Sequence, residues 1–353
     1  MTDSRLQTKS LHRARGVPGA ARALCAALAA TGALIAADAR AQTPRTLEFY
    51  VGYSAGGGSD TQARIVANHI GRHYPGAPNV VVRNMPGAGT ITLANYLFSV
   101  APRDGHTFGI IAGGAVTAPL FKTKGAAYDP REFTWIGNVS SEVSIAAAWH
   151  TSGVKTLEDA MKREVVLGTA GPGSGNHIYP LVLNAILGTK FKLIAGYPGS
   201  NEVAIAMERG EVQGTGSWNI SGIMQSRPDW LKNGLLVPLV QQSLAKHPSL
   251  PNVPLVTELG KTEADRKVLQ LIFAQQVISR PLLAPPQIPA DRAQALRAAF
   301  DTTMKDAAFL DEAAKRRMEI TDPMTGDQVK ALLVDLYGTP SDIVERAIAA
   351  VNG

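Results

Sequence analysis

The chain contains a single cysteine, Cys25, and it lies in an N-terminal segment that the sequence predicts to be removed. Arg13, Arg15 and Arg22 lead into the apolar stretch 23–37, and Ala39-Arg40-Ala41 supplies an A-x-A cleavage site, as in a secretory signal peptide. Cleavage is predicted after Ala41, so that 1–41 is the signal peptide. The mature chain would then have no thiol, which excludes disulfides, thiolate metal sites and cysteine nucleophiles.

The chain also has little excess charge outside that segment. Residues 1–41 carry six Lys/Arg and two Asp, and so account for +4 of the formal net charge of +6. Basic and aromatic residues are not interleaved, which argues against a nucleic-acid partner. His, Asp and Glu do not cluster at metal-ligand spacing, and we predict neither a metal nor a cofactor. No second hydrophobic run of membrane-spanning length follows the first.

The stretch Tyr53–Asp60 has three consecutive glycines between an apolar run, 47–51, and a helical pattern. Ser59 followed by Gln62 is a capping box, and predicts that the helix begins at Ser59 with its first amides over the loop. Bare main chain at the positive end of a helix favours an anion, and a carboxylate would suit this loop.

A second stretch repeats this order of strand, glycine loop and helix. The apolar run 165–167 is followed by the glycine-rich loop 168–177 and by an apolar helical stretch, 178–187. Each loop alone could be an ordinary strand-to-helix turn. Two such loops about a hundred residues apart predict two lobes that offer helix N-termini to one ligand.

Strands and helices alternate along the mature chain, which indicates an α/β fold with largely parallel sheets. The chain is predicted to cross between lobes near 144–149 and to return near 275–280, before three C-terminal helices. Domain 1 would comprise 42–145 and 275–353, and domain 2 would comprise 146–274. The fold class expected is α/β and two-lobed, with a cleft between two domains, the first of them discontinuous.

The order of short motifs in the chain resembles that of the extracytoplasmic solute receptors of tripartite tricarboxylate transporters, the Bug family. The matching pieces are Gly57-Gly58-Ser59-Asp60, Asn84-Met85-Pro86-Gly87-Ala88-Gly89, Pro102-Arg103-Asp104-Gly105, Tyr128-Asp129-Pro130, 168–174, Tyr197-Pro198-Gly199-Ser200 and Gly210-Glu211-Val212. Two departures are Ser54-Ala55-Gly56 in the first loop, where the family usually has prolines, and Gln213-Gly214 after the last motif. The resemblance implies a type II-like periplasmic-binding-protein fold with two Rossmann-like domains. It also implies a periplasmic, non-enzymatic receptor that binds a small organic carboxylate and delivers it to membrane permease subunits. We expect a monomer.

The predicted ligand-binding residues form three groups. The first loop contributes Tyr53, Ser54, Ala55, Gly56, Gly57, Gly58, Ser59 and Asp60. The facing wall contributes Ala170, Gly171, Gly173, Ser174, Gly175, Asn176, His177, Tyr197, Ser200, Trp218 and Asn219. Ala115 and Thr117, after the third strand, are expected to tune ligand length. Two alternatives stay open: Asp60 could instead compensate the helix dipole, and Trp218 could be a core residue.

A rival interpretation starts from Gly52-Tyr53-Ser54-Ala55-Gly56, which matches the G-x-S-x-G motif of serine hydrolases. Ser54 would be the nucleophile, with His106, His150, His177 or His247 as base. Two features argue against it: the helix is predicted to begin five residues after the serine, and the motif lies on the first strand of the mature chain. No histidine is paired with an acidic residue by any sequence signal.

Overall fold

The computed structural model describes residues 46–56, 58–171, 174–318 and 320–352. The predicted signal peptide and its cleavage site lie outside these residues. The described chain forms one compact unit with two mixed β-sheets covered by helices. The strands are β1 (Leu47–Val51), β2 (Val80–Asn84), β3 (Thr107–Ile110), β4 (Thr134–Asn138), β5 (Ser144–Trp149), β6 (Val165–Thr169), β7 (Phe191–Ala195), β8 (Gly214–Asn219), β9 (Leu236–Gln242), β10 (Pro281–Ala284) and β11 (Met324–Thr325).

Thirteen α-helices are found among the described residues. They are α1 (Gly58–His73), α2 (Ile91–Ser99), α3 (Gly113–Thr117), α4 (Leu157–Lys162), α5 (Gly175–Leu187), α6 (Ser200–Glu208), α7 (Ile220–Ser226), α8 (Pro228–Lys232), α9 (Glu263–Val277), α10 (Ala290–Thr303), α11 (Ala307–Lys315), α12 (Gly326–Tyr337) and α13 (Ser341–Asn352). In the part of the chain that is described, no helix has the length and apolarity needed to cross a bilayer.

The first sheet has the strand order β11-β4-β10-β3-β1-β2. Strands β2, β1 and β3 run parallel, as expected where helices connect them, with Phe49 opposite Phe108 in register. Strand β10 runs antiparallel to both of its neighbours, β3 and β4. The chain reaches β10 from the second sheet. No helical crossover within the first sheet therefore requires β10 to run parallel to its neighbours.

The second sheet has the order β7-β6-β8-β5-β9. Its parallel part is β7, β6 and β8, and the crossing strand β5 is antiparallel to β8 and β9. The prediction of largely parallel sheets is therefore wrong for the strands at the two crossings. Strands and helices do not alternate at the crossings, so the rule that predicts parallel pairing from alternation does not apply there.

The two crossings between the sheets lie side by side. The first, 139–143, joins β4 to β5, and the second, 278–280, joins α9 to β10. The N–H of Val139 donates to the Arg280 carbonyl at 3.1 Å, and the N–H of Glu142 donates to the Gln276 carbonyl at 2.8 Å. Asn138, fully buried, donates through Nδ2 to the carbonyl of Val277 at 3.0 Å and accepts the N–H of Arg280 at 2.9 Å. This pairing makes one narrow connection between the sheets.

The apolar core extends beyond each sheet. One cluster of buried side chains includes Leu93 and Trp135 on the first-sheet side and Leu167 on the second-sheet side, together with Phe273 of α9 and Ala347 of α13. A second cluster lies between the first sheet and α1, α10 and α11, and a third lies beneath β8, α6 and α8. The first cluster therefore joins the two sheets by packing as well as by the chain.

Helices α4 and α12 begin with a complete capping box, and the predicted number of C-terminal helices is corrected. Both bonds of a capping box are present at Thr156 with Asp159 and at Thr325 with Gln328. Four helices, not three, follow β10, because the side chain of Asp306 accepts the N–H of Ala308 at 2.8 Å and starts α11 separately from α10. Helix α9 also continues to Val277, into the segment predicted as the return crossing.

Candidate functional site

A cleft of about 500 Å³ lies between the two sheets, beside the crossings. Its lining comes from the start of α1, from the loops and helix starts that follow β6, β7 and β8, and from Glu142, Gln276 and Arg280 at the crossings. Loops at the carboxyl ends of parallel strands are where open α/β sheets bind ligands. A cavity of this size is in the range of small-molecule sites.

The first wall of the cleft is the N-terminal turn of α1. The helix begins at Gly58, one residue before the predicted start at Ser59, and both residues line the cleft together with Gln62. The first N–H groups of a helix have no partner within the helix, and the dipole makes that end positive. This turn is therefore suited to an anion.

Asp60 serves the loop itself and does not line the cleft. Its Oδ2 accepts the N–H of Gly56 and the Nε–H of Arg64, both at 2.9 Å, and its Oδ1 accepts Nδ2–H of Asn84 at 2.7 Å. Burial alone would raise the pKa of Asp60, but these three hydrogen bonds outweigh it and hold the pKa below its ordinary value. The carboxylate thus fastens the first loop to α1 and β2.

The second wall is the N-terminal turn of α5. Asn176 organises it, because its Oδ1 accepts the N–H of Ala170 at 3.1 Å and the hydroxyl of Ser174 at 2.7 Å. Ser174 precedes the helix, but its side chain makes no capping hydrogen bond to it. The amides of Gly175 and Asn176 therefore form a second positive helix end at the same cleft.

Gly216 of β8 allows α5 to approach the second sheet closely. A Cβ atom at this position would lie 2.1 Å from Cγ of Pro180 and 2.7 Å from the carbonyl oxygen of Asn176. Any side chain here would therefore displace the first turns of α5. A residue of the sheet thus sets the position of a cleft wall.

Arg280 is the charged residue that the return crossing brings to the cleft. Its Nη1 donates to the Ser279 carbonyl at 2.9 Å, its Nη2 lies 4.0 Å from Oε1 of Glu142, and its guanidinium carbon lies 5.8 Å from the ring centre of Tyr53. Oε2 of Glu142 accepts the hydroxyl of Ser221 at 2.8 Å. Burial raises the pKa of Tyr53 above its ordinary value, and the positive charge of Arg280 offsets part of that increase.

One buried polar atom in this group, Nε of Arg280, lacks a hydrogen-bond partner among the described residues. A buried donor without a partner is costly, and native proteins rarely keep one. Here the side chain of Arg280 lines the cleft, so that a bound anion could accept a hydrogen bond from its guanidinium group.

A second cavity of about 760 Å³ adjoins the cleft. Its walls come from α3, α5, α9 and the loop before α2. The two cavities share Gly175, Tyr179, Asn219, Gln276 and Arg280. They are therefore two compartments of one larger cleft.

The structure brings together many of the predicted ligand-binding residues. The first cavity is lined by Gly58, Ser59, Ala170, Ser174, Gly175, Asn176, Ser200, Trp218 and Asn219, and the second by Ala115 and Thr117 as well as Gly175 and Asn219. Trp218 also packs edge-on against Trp230, with ring centres 6.1 Å apart. It is therefore both a cleft residue and a core residue.

Other predicted residues lie outside the lining of both cavities. These are Tyr53, Ser54, Ala55, Gly56, Asp60, Gly171, His177 and Tyr197, while Gly57 and Gly173 are not among the described residues. Nδ1 of His177 is 2.9 Å from the hydroxyl of Thr169. The ring of Tyr197 lies over Gly168, where a Cβ atom would be 3.2 Å from it. Ser54, Ala55 and Gly56 are exposed.

Sequence reasoning missed cleft residues that come from the crossings, from helices, from β8, from the loop before α6 and from the segment after α11. These are Gln62, Glu142, Tyr179, Gly199, Ser217, Ser221, Gly222, Gln225, Gln276, Arg280, Arg317 and Met318. Arg280 did carry a signal, since it and Ser279 interrupt the otherwise apolar run from Val277 to Ala284. An arginine in such a run either ends the buried segment or points into a polar site.

The arrangement around Ser54 does not support the hydrolase interpretation. The side chain is exposed and α1 begins four residues later, whereas a nucleophile elbow needs the helix to start almost at the serine. The described contacts of the proposed bases are with other residues: His106 lies beside Asp104, His150 packs on Trp149, His177 contacts Thr169 and His247 contacts Ser249.

Comparison with known proteins identifies relatives along nearly the whole described chain. The family model described as "Tripartite tricarboxylate transporter family receptor" matches residues 63–346. A curated relative, the UPF0065 protein in the gbd 5′ region of Cupriavidus necator, is 28% identical over 313 residues, covering 85% of this chain and 88% of that protein. The match extends across both sheets and both crossings.

Solved structures share the fold. A TctC solute-binding protein from Polaromonas, without ligand, superposes with a TM-score of 0.66 at 20% identity, over 88% of this chain and 99% of that one. MatC of Rhodopseudomonas palustris, with bound malate, superposes with a TM-score of 0.60 at 20% identity and the same coverage. The fold class predicted from the sequence is confirmed. Since the family model matches most of its length, this chain belongs to the receptor family of the tripartite tricarboxylate transporters.

Proposed function

We propose that this protein is a periplasmic receptor that binds a small organic carboxylate in the cleft and delivers it to the membrane subunits of a tripartite transporter. One observation carries the proposal: the N-terminal turns of α1 and α5 and the side chain of Arg280 line a single cavity. Two positive helix ends and a guanidinium with an unsatisfied Nε–H form a site for a carboxylate. The malate bound by MatC is an acid of this class.

The proposal includes two lobes that move. Lobe one would comprise 42–145 and 275–353, and lobe two would comprise 146–274, with the paired crossings as the hinge. An acid held by α1 on one side and α5 on the other stabilises the closed state, because it contacts both lobes only there. The proposed site also includes the first loop, from Tyr53 to Asp60, whose exposed residues would reach the ligand on closure.

Export and assembly complete the proposal. The N-terminal 41 residues act as a signal peptide that is cleaved after Ala41, and the mature receptor works as a monomer that releases its ligand to the permease. It catalyses no reaction on that ligand. Purified protein from the periplasmic fraction, measured by intact mass and light scattering, tests both the cleavage site and the monomer.

Thermal melting against organic acids tests the binding function. An acid at a hundred times its dissociation constant adds about 2.7 kcal/mol of stability, and the matching amide, which lacks the charge, should add far less. Arg280→Gln should weaken the shift for every acid, whereas Arg209→Gln, whose side chain is 69% exposed, should not. Equal shifts for acids and amides would contradict recognition of a carboxylate.

The hydrolase alternative is tested with the same sample. We expect no turnover of model esters, and Ser54→Ala should leave the ligand-induced shift in melting temperature unchanged. Ester turnover that disappears in Ser54→Ala would overturn the receptor interpretation.

A further inference from the structure

The two compartments of the cleft differ in chemistry. The first is lined largely by hydroxyl and amide groups, among them Ser59, Gln62, Asn176, Ser217 and Gln225. The second has an apolar wall made of Ile91, Ala115, Phe121, Ile178 and Ile272. Ile91, Ala115 and Phe121 belong to the first-sheet side of the molecule, and Ile178 belongs to the second-sheet side. An apolar group placed there would be covered from both sides of the cleft.

The boundary between the compartments is where an anion would be held. Arg280, Gln276 and the N-terminal residue of α5, Gly175, line both cavities. Nε of Arg280 is buried without a hydrogen-bond partner among the described residues, and the side chain of Arg280 is only 19% exposed. Charged hydrogen bonds are strongest where water is excluded. A carboxylate therefore binds more strongly at this boundary than elsewhere in the cleft.

A second carboxylate at the far end of a ligand that extends from Arg280 into the second compartment would meet poor surroundings. It would lie against aliphatic and aromatic side chains, where an unpaired charge is costly. Besides Arg280, the charged residue in the described lining of that cavity is Lys124, which is exposed, so that solvent screens it.

We propose that the cleft selects an acid that places one carboxylate at the boundary and an uncharged apolar body in the second compartment. The carboxylate binds at Arg280 and the first turn of α5, and a chain or ring of several carbons occupies the cavity between Phe121 and Ile178. Ala115 and Thr117, at the base of α3, limit the length of that body. This inference rests on the proposed function and adds to it the chemical class of the ligand.

Calorimetric titration of the mature chain with butanoate, hexanoate and octanoate tests the proposal. Each methylene buried in the apolar compartment should tighten binding about fourfold. Affinity should therefore rise by at least about fifty-fold from butanoate to octanoate. Octanedioate, the dicarboxylate of equal length, should bind at least about tenfold more weakly than octanoate.

Two variants separate the apolar compartment from the carboxylate site. Phe121→Ala and Ile178→Thr, both at half-buried side chains, should weaken octanoate about tenfold and leave butanoate within twofold. Val334→Thr, at an exposed position on α12, is the matched control and should change neither. If one of the two variants fails to fold, the other still tests the proposal, because Phe121 lies in the loop after α3 and Ile178 lies in α5.

The outcomes distinguish this inference from the function on which it rests. Binding of acids without a gain in affinity along the series would overturn the inference and leave the carboxylate receptor intact. Tighter binding of octanedioate, lost in Lys124→Gln, would overturn it in favour of a dicarboxylate that spans from Arg280 to the rim. If none of these acids, malate or the amino acids bound, both proposals would fall.

Discussion

Replacing Asp60 by asparagine should destabilise the protein at neutral pH, although the two side chains have the same shape. The carboxylate accepts three hydrogen bonds, two at Oδ2 and one at Oδ1. Whichever oxygen becomes the amide NH₂, it then faces an N–H donor. Asn84 cannot simply rotate to compensate, because its Nδ2 also donates to the Tyr53 carbonyl at 2.9 Å and its Oδ1 accepts from Arg64 at 2.7 Å.

The magnitude follows from the burial of the group. Asp60 is 2% exposed, and a hydrogen bond to a buried charge contributes about 1.5–3 kcal/mol. Arg64 is 45% exposed, so its ionic contribution is largely screened. We therefore expect Asp60→Asn to lower the free energy of unfolding by about 2–3 kcal/mol. At roughly 2 °C per kcal/mol for a chain of this size, the melting temperature falls by about 4–6 °C.

The pH dependence of this loss tests its cause. The folded pKa of Asp60 lies below the ordinary value of 3.8, so the stabilisation is present above that pH and is lost as the pH falls through the folded pKa. Urea unfolding of the wild type and Asp60→Asn should give curves that differ at pH 7 and converge at the acid end. Asp335→Asn, exposed on α12, is the control. A difference under 0.5 kcal/mol at pH 7, or one that persists in acid, would refute the reasoning.

Two further changes test the geometry of the cleft wall and the capping box at the start of α12. Gly216→Ala should reduce carboxylate affinity at least about tenfold in calorimetry, because its Cβ would push Pro180 and the first turn of α5 from the cleft; unchanged affinity would show that this turn does not bind the acid. Thr325→Ala should cost about 1 kcal/mol in chemical denaturation, since the capping box of α12 is lost. Thr325→Ser, which keeps the hydroxyl, should recover most of that loss.

Local patterns predicted the parts of the site that each depend on one short stretch of chain. The order of strand, glycine loop and helix placed the starts of α1 and α5 to within a few residues, because glycine, capping residues and apolar periodicity act over one or two turns. Two such helix starts, at Gly58 and Gly175, do line one cleft.

The residues at the crossings could not be found in this way. Glu142, Gln276 and Arg280 meet only because Asn138 and the backbone of 139–142 bond to the return segment, more than 130 residues later. The antiparallel direction of β10 relative to β3 and β4 depends on the same long-range pairing. For Asp60, the sequence predicted its position at the start of a helix. It did not predict its role in holding the loop, because its hydrogen-bond partner Asn84 lies on β2.

The apolar cluster that joins the two sheets sets a limit on how widely the receptor can open. Phe273 and Leu167 are fully buried in it, and a wide swing about the crossings would expose such surfaces to water at about 25 cal/mol for each Å². We therefore expect closure on the ligand to be a rotation of modest amplitude. Such a receptor loses little conformational freedom on capture, and both halves should unfold together in a single cooperative step.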